Sequence, residues 1–289
     1  RMLTAGGVYR LGMQTTTSTN TVTFSADIQF NVVSELLIAT GAQLGSGTLL
    51  STATINGPMS LGARLKHTGG ILTLNGLVSG TGALMIGGNP GTRAFTTLTC
   101  SSNTFSGGIF SDVTANSHLT ATASIVLANH GQSSALGSGG AICFPANASN
   151  NAFGITLSGF STPQTTDRVL VLTSFTASLF NNGTGPLRLT GAITNSSSLA
   201  VANNLYLGGT YNSHTSPNII SGLIVQQSPS YPINPQIIGN GIWRLTNPSN
   251  NFTGPVTIGR YETANQGLQF TSAGTLGLNA SFIFSLPVS

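Results

Sequence analysis

The 289-residue chain holds few groups able to do acid–base or metal chemistry. Its carboxylates are Asp27, Glu35, Asp112, Asp167 and Glu262, and no two lie close in sequence. Glycoside hydrolysis needs two facing carboxyl groups, one to protonate the leaving oxygen and one to act as base or nucleophile. Lyase chemistry needs an acidic cluster that holds calcium beside a base. Either would have to be assembled here by stacking distant segments. His67, His118, His130 and His214 are isolated, without His-x-x-x-His spacing or a neighbouring acid. Twelve residues separate His118 from His130, a spacing that could bring them together on one turn of a repeating fold. Asp167-Arg168 reads as a local charge pair at a turn. The Gly-rich stretches lack the Lys and following helix of a phosphate loop, and no Gly-x-Ser-x-Gly elbow accompanies a triad. Cys100 and Cys143 have no zinc-ligand spacing; in an exported chain they are a possible disulfide, and otherwise two separate small apolar residues. The expectation is a protein with no catalytic residues, no cofactor and no metal.

The positions that chemistry leaves free are filled in an unusual way. Only 5% of residues are charged, against roughly 25% in ordinary soluble domains. Gly, Thr, Ser and Asn together supply 135 of 289 residues (37, 39, 34 and 25). That excludes a coiled coil or helical bundle, since these residue types weaken helices. The 39% hydrophobic content is too high for a disordered polar chain. The net charge of +4 comes from nine basic residues spread from Arg1 to Arg260 with no stripe, so no nucleic acid is expected as partner. Apolar runs such as Ile219 to Val225 fall far short of the ~20 residues that span a bilayer, so no membrane insertion of this segment is expected. A start at Arg1 in place of Met predicts a processed part of a longer precursor, its export signal removed, located outside the cell or on its surface.

Strand signals recur from end to end. Val22, Phe24, Ala26, Ile28, Phe30 and Val32 alternate with polar residues, as do Leu119, Ala121, Ala123, Ile125 and Leu127, the period of a strand with one buried face. Short apolar runs follow at 71–74, 84–86, 169–172, 187–189, 205–207, 222–225, 242–245, 256–258, 268–270 and 282–284. Gly, Asn and Pro turn signals stand between them, among them Asn56-Gly57, Asn75-Gly76, Asn182-Gly183 and Asn240-Gly241. Only Ser34 to Ala42 could form a short helix. No composition break divides the chain, so residues 1–289 are expected to form one continuous all-β unit with essentially no helix.

An internal repeat sharpens this. Leu98-Thr99-Cys100-Ser101-Ser102-Asn103-Thr104-Phe105-Ser106-Gly107 aligns without gaps on Leu245-Thr246-Asn247-Pro248-Ser249-Asn250-Asn251-Phe252-Thr253-Gly254, with six of ten positions identical. Each copy is preceded by a Gly-x-Gly turn, at Gly80 to Gly82 and Gly239 to Gly241, and followed by a Leu-Gly turn, at Leu136-Gly137 and Leu276-Gly277. Repetition of this kind reads as stacked units, none able to bury its apolar face alone. The pattern resembles the autotransporter passenger-associated repeat of large bacterial surface proteins, whose centre Asn-Thr-Tyr-Thr-Gly-Gly is close to Asn103-Thr104-Phe105-Ser106-Gly107-Gly108. Repeat-like units cover roughly 80–140 and 239–280; the second copy departs at Asn251 and Pro255. The resemblance implies a right-handed parallel β-helix, a β-solenoid, and says little of activity. In such coils Phe105 and Phe252 are expected inside, and Asn103 and Asn250 at corners, bonded to their own backbone.

The leading expectation is a non-enzymatic extracellular structural or adhesive protein that self-assembles into a fibre, stalk or surface layer, a homo-oligomer or polymer with surface glycans as further partners. Low charge density leaves little repulsion between copies, and coil edges offer unpaired backbone. The alternative is a binding module that contacts carbohydrate or ice through a Thr/Ser/Asn-rich face, with the contiguous Thr15 to Thr21 as its best hint. A polysaccharide lyase or hydrolase is the third reading. Sequons stand at Asn147, Asn182, Asn195, Asn251 and Asn279.

Overall fold

The computed structural model describes residues 52–87, 93–111, 117–144, 152–173, 176–195, 202–227, 230–260 and 266–271, and, from the first 51 residues and 282–284, the strands alone. Among the described residues the regular structure is all β, with no helix. Short strands follow one another around a three-faced coil, and each pairs in parallel with the strand one coil earlier and one coil later.

The first face stacks Thr21–Phe24, Thr52–Ile55, the second half of Leu65–Leu74, Ala94–Leu98, Ser117–Thr122, Ala152–Ser158, Thr176–Asn181, Asn203–Gly209, Ile233–Ile238, Val256–Arg260 and Phe282–Phe284. The second face carries Met2–Leu3, Ile28–Phe30, Met59–Leu61 and Val78–Ser79. Residues 104–106 and 138 continue it by Thr104 N–H to Val78 O, Ser106 N–H to Gly80 O and Ser138 N–H to Phe105 O. The same face resumes in Gln164–Thr166, Leu187–Leu189, Asn218–Ile220, Ile242–Leu245 and Gly267–Phe270. The third face stacks Gly7–Leu11, Ser34–Ile38, the first half of Leu65–Leu74, Leu84–Ile86, Ile109–Ser111, Ile142–Phe144, Leu170–Leu172, Ile193–Asn195 and Ile224–Val225. Strand Leu65–Leu74 turns a corner within its own length and so serves two faces. A single antiparallel hairpin among the described strands, Thr40–Leu44 with Gly47–Leu50, interrupts the pattern.

Period-two alternation explains which residues make these strands. On the third face Leu65, Leu84, Ile109, Ile142, Leu170, Ile193 and Ile224 occupy one register position on successive coils and are all buried, an aliphatic column through the interior. Corners use residues that tolerate tight turns. Gly80 has φ of 101°, and a Cβ there would stand 2.3 Å from the carbonyl oxygen of Leu61, so the Gly-x-Gly turn at 80–82 requires glycine by both conformation and space.

The short helix allowed at Ser34 to Ala42 is not formed. That stretch lies in Ser34–Ile38 and Thr40–Leu44, and Ser34–Ile38 is paired on both sides, by Gly7–Leu11 and Leu65–Leu74. Two flanking ladders outweigh the weak intrinsic preference of so short a segment. The long strand expected over Val22 to Val32 is two, Thr21–Phe24 on the first face and Ile28–Phe30 on the second. The two sequence repeats also differ in phase. Leu98 ends a first-face strand and its copy crosses the second face, whereas Leu245 ends a second-face strand and its copy crosses the third. The repeat therefore encodes a local crossing of one face, not a whole number of coils.

Candidate functional site

Polar side chains on the inside come first, because they set where the surface residues stand. Asn103, Asn218 and Gln164 each occupy the first position of the second face, and Asn250 the first position of the third; all four are buried. Each carboxamide oxygen accepts a backbone N–H one coil earlier: Val78 to Asn103 at 2.8 Å, Leu187 to Asn218 at 2.9 Å, Val126 to Gln164 at 3.0 Å and Ile224 to Asn250 at 2.9 Å. Asn103 and Asn218 also donate one coil later, to Ala135 O and Ile242 O. The expectation that Asn103 and Asn250 bond their own backbone is corrected: they sit at corners, but they tie successive coils together. Their side chains point inward, within reach of backbone N–H and C=O groups on neighbouring coils. Phe105 and Phe252 are fully buried beside them. Gly107 and Gly254 lie against backbone of the preceding coil; a Cβ would stand 2.5 Å from Gly82 C at the first and 2.4 Å from Ile233 O at the second. Leu98 and Leu245 are buried strand ends.

Two further interior groups are titratable. His67, fully buried, donates from Nε2 to Gly69 O at 2.8 Å and accepts at Nδ1 from the Thr96 hydroxyl at 2.8 Å, the tautomer being set by the carbonyl, which can only accept. Burial pulls its pKa down to about 4, against a smaller upward pull from Gly69 O. Asp167-Arg168 is not a charge pair at a turn. Arg168 is 2% exposed and its guanidinium donates to three backbone carbonyls, Gly140 at 3.0 Å, Leu136 at 2.8 Å and Gly139 at 2.7 Å, while exposed Asp167 accepts the N–H of His130 at 2.6 Å. Desolvation lowers the Arg168 pKa to about 10, partly opposed by the nearby Asp167 charge. The carbonyls of a wide turn at 136–140 need donors, and Arg168 reaches inward to supply them.

The remaining sequence candidates do not converge. Cys100 and Cys143 are free, half-buried thiols, Cys143 on the third face and Cys100 just beyond the end of a first-face strand, so the possible disulfide is not formed here. Desolvation raises the Cys143 pKa. His118 lies on the first face, whereas His130 and His214 are exposed in turns. Asp167 is exposed and Glu35 lies in the third-face strand Ser34–Ile38, while Asp27, Asp112 and Glu262 fall outside the described residues, and the described residues contain no group of three or more His, Cys, Asp or Glu able to hold a metal. Asn182 is exposed; Asn195 is buried and Asn251 half-buried, and both accept backbone N–H groups, from Gln227 and Gln226. Thr15 to Asn20, Leu276-Gly277, Asn147 and Asn279 lie outside the described residues.

What the topology does assemble is a surface. Thr23, Thr54, Thr73, Thr97, Thr120 and Thr156 share one register position on six successive coils of the first face. From Thr54 to Thr156 these threonines alternate with buried neighbours and are half-buried themselves, so they form an outward row of hydroxyls repeating at about 4.8 Å. Phe180 occupies the next position and ends the row. In the adjacent outward row, Ile71, Phe95, His118, Gly154, Ser178 and Tyr206 follow one another. A groove of about 260 Å³ opens there, lined by Arg93, Phe95, Ser117, His118, Gly154, Ser178 and Phe180. His118 lies over Gly154, its ring within 2.6 Å of where a Cβ would stand, and its Nε2 bonds the Thr156 hydroxyl at 2.8 Å. Partial burial lowers the His118 pKa. The sequence carried the threonines, but their alignment depends on coil lengths that vary from 19 residues (Thr52 to Ile71) to 36 (Leu119 to Ile155).

No family model, no curated protein and no solved structure matches the chain. The class that fold and surface define is a parallel-stranded, all-β stack of three-faced coils.

Proposed function

We propose that the chain is a non-enzymatic structural or adhesive segment of an extracellular or cell-surface protein, a right-handed β-solenoid of the autotransporter passenger type that associates with further copies into a fibre, stalk or layer. One observation carries it: parallel pairing continues on the first face from Thr21–Phe24 to Phe282–Phe284, giving a rod whose interior is continuous and whose outer rows are mainly uncharged. Right-handed coiling is the hand that parallel crossover connections adopt almost without exception. Sparse charge leaves outer surfaces free to approach one another, and coil edges present backbone that another chain or coil can pair with. Electron microscopy of concentrated protein tests this. Filaments or sheets are expected, and monodisperse single particles would overturn self-assembly.

The threonine row favours a second reading, a binding module whose hydroxyls meet a repeating ligand such as a glycan surface or ice. Thr97→Val combined with Thr120→Val keeps shape and β preference while removing two hydroxyls from the row. The expected outcome is a melting temperature changed by no more than a few degrees and loss of glycan binding or thermal hysteresis; unchanged binding would remove the row from the account.

A further inference from the structure

We propose that the groove between Phe95 and Phe180 on the first face binds an acidic oligosaccharide, a short uronate-containing glycan. The inference rests on the adhesive reading and names what would be held. Outward rows on this face carry many hydroxyl-bearing or small residues, among which two phenyl rings stand near one another. Phe95 and Phe180, both half-buried, line the same groove. Phe95 is three strands from Ser178, whose strand carries Phe180 two residues on, so the rings are separated by about 14 Å along the stack. That length suits a short sugar chain with one ring at each end. Phenyl faces pack on the apolar C–H faces of pyranose rings, and the half-buried His118 ring and the Ser178 hydroxyl line the floor between them. Gly154 makes the floor low: with no side chain there, His118 folds down over the backbone instead of standing in the groove.

Charge decides the class of sugar. Arg93, exposed at the rim, is the one charged residue of the lining, and no acidic side chain among the described residues faces it there. A guanidinium offers a planar pair of donors matched to a carboxylate. A single cation is too little for a nucleic-acid backbone, which needs several in sequence. The groove is also too small and polar to be the core of a stable protein interface.

Calorimetric titration of the whole chain with an oligogalacturonate, and with its methyl-esterified neutral form, tests the proposal. The acidic oligomer is expected to bind and the neutral form to bind more weakly, the difference shrinking at high salt. Phe95→Ala and Phe180→Ala should each weaken binding roughly tenfold. Arg93→Gln should abolish the preference for the acid, and Arg188→Gln, on the second face, should change nothing. Phe95→Leu keeps apolar bulk without the flat ring and should also lose affinity, separating recognition from folding, with circular dichroism and melting confirming that each variant is folded. Equal binding of both oligomers overturns the acidic assignment, and binding indifferent to the Phe variants overturns the site. Fibres that bind neither oligomer overturn the site and leave the structural reading standing; loss of both fibres and binding overturns that reading too.

Discussion

His67 makes the stability of this rod depend on pH in a defined direction. The neutral ring fits its surroundings, with Gly69 O accepting its one N–H and the Thr96 hydroxyl donating to the other nitrogen. A second proton would turn Nδ1 into a donor and bury a charge at a fully buried site, so the folded pKa falls from 6.5 to about 4. Between those two values the unfolded chain binds a proton that the folded chain refuses, so stability declines as pH falls. The decline starts near pH 6.5, totals about 3 kcal/mol (2.5 pKa units at 1.36 kcal/mol each) and levels off below about pH 4. Above pH 7 both states are neutral here and the residue adds no slope. Urea unfolding at pH 7 and pH 4.5, for the native chain and for His67→Gln, measures this. Glutamine offers an amide donor and a carbonyl acceptor group without titrating, so carboxylates and other histidines cancel in the difference between the two chains. The native chain should lose roughly 2 to 3 kcal/mol more than the variant on acidification. Parallel pH profiles would refute the argument, as would a nuclear magnetic resonance titration placing the His67 pKa at or above 6.5.

Asn103→Ala strands the Val78 N–H and the Ala135 carbonyl inside the coil and should cost about 2 to 4 kcal/mol in chemical unfolding, whereas Asn182→Ala, at an exposed turn, should cost under about 1. Arg168→Met removes the donors of three carbonyls and should cost about 3 to 5 kcal/mol; a loss below about 1 kcal/mol would mean that water or a neighbouring donor already serves the 136–140 turn. Gly80→Ala combines a left-handed φ with a contact of 2.3 Å to Leu61 O, and should lower the melting temperature markedly, while the same change at Gly131, also left-handed but open around its Cα, should lower it less.

Period-two patterns and turn residues made the all-β, many-stranded character legible, and short runs such as Leu187–Leu189 and Ile242–Leu245 are strands with the bounds their sequence suggests. The repeat at 98–107 and 245–254 was legible too, but its meaning was not. Its asparagine is the residue type that closes turns on its own backbone, and only the stack supplies the coil above whose N–H it takes. Arg168 was misread for a related reason: Asp167 is its neighbour in sequence, while its partners lie 28 to 32 residues away. The aligned outer surface was the least legible part. The contiguous Thr15 to Thr21 drew attention because it is dense, yet a row on a stacked sheet is built from single threonines in different coils.

Uneven coil length and the buried carboxamides belong to one physical argument. A column such as Leu65 to Ile224 would tolerate many registers, because one aliphatic residue replaces another at little cost and slips of two residues restore the same inside–outside pattern. A carboxamide that must meet one particular N–H, one coil back, tolerates none of them, since a slip leaves a buried donor and acceptor unpaired. Asn103, Gln164, Asn218 and Asn250 make that demand across intervals of 25, 38, 31 and 26 residues, so each coil can carry a loop of its own length while the faces stay aligned. Alignment of the faces is what turns scattered threonines into a row and sets Phe95 and Phe180 across one groove. The interior polar ladder is thus the device that fixes the outer surface, and substitutions within it, at Asn103 above all, should disorder the outer rows before they unfold the rod.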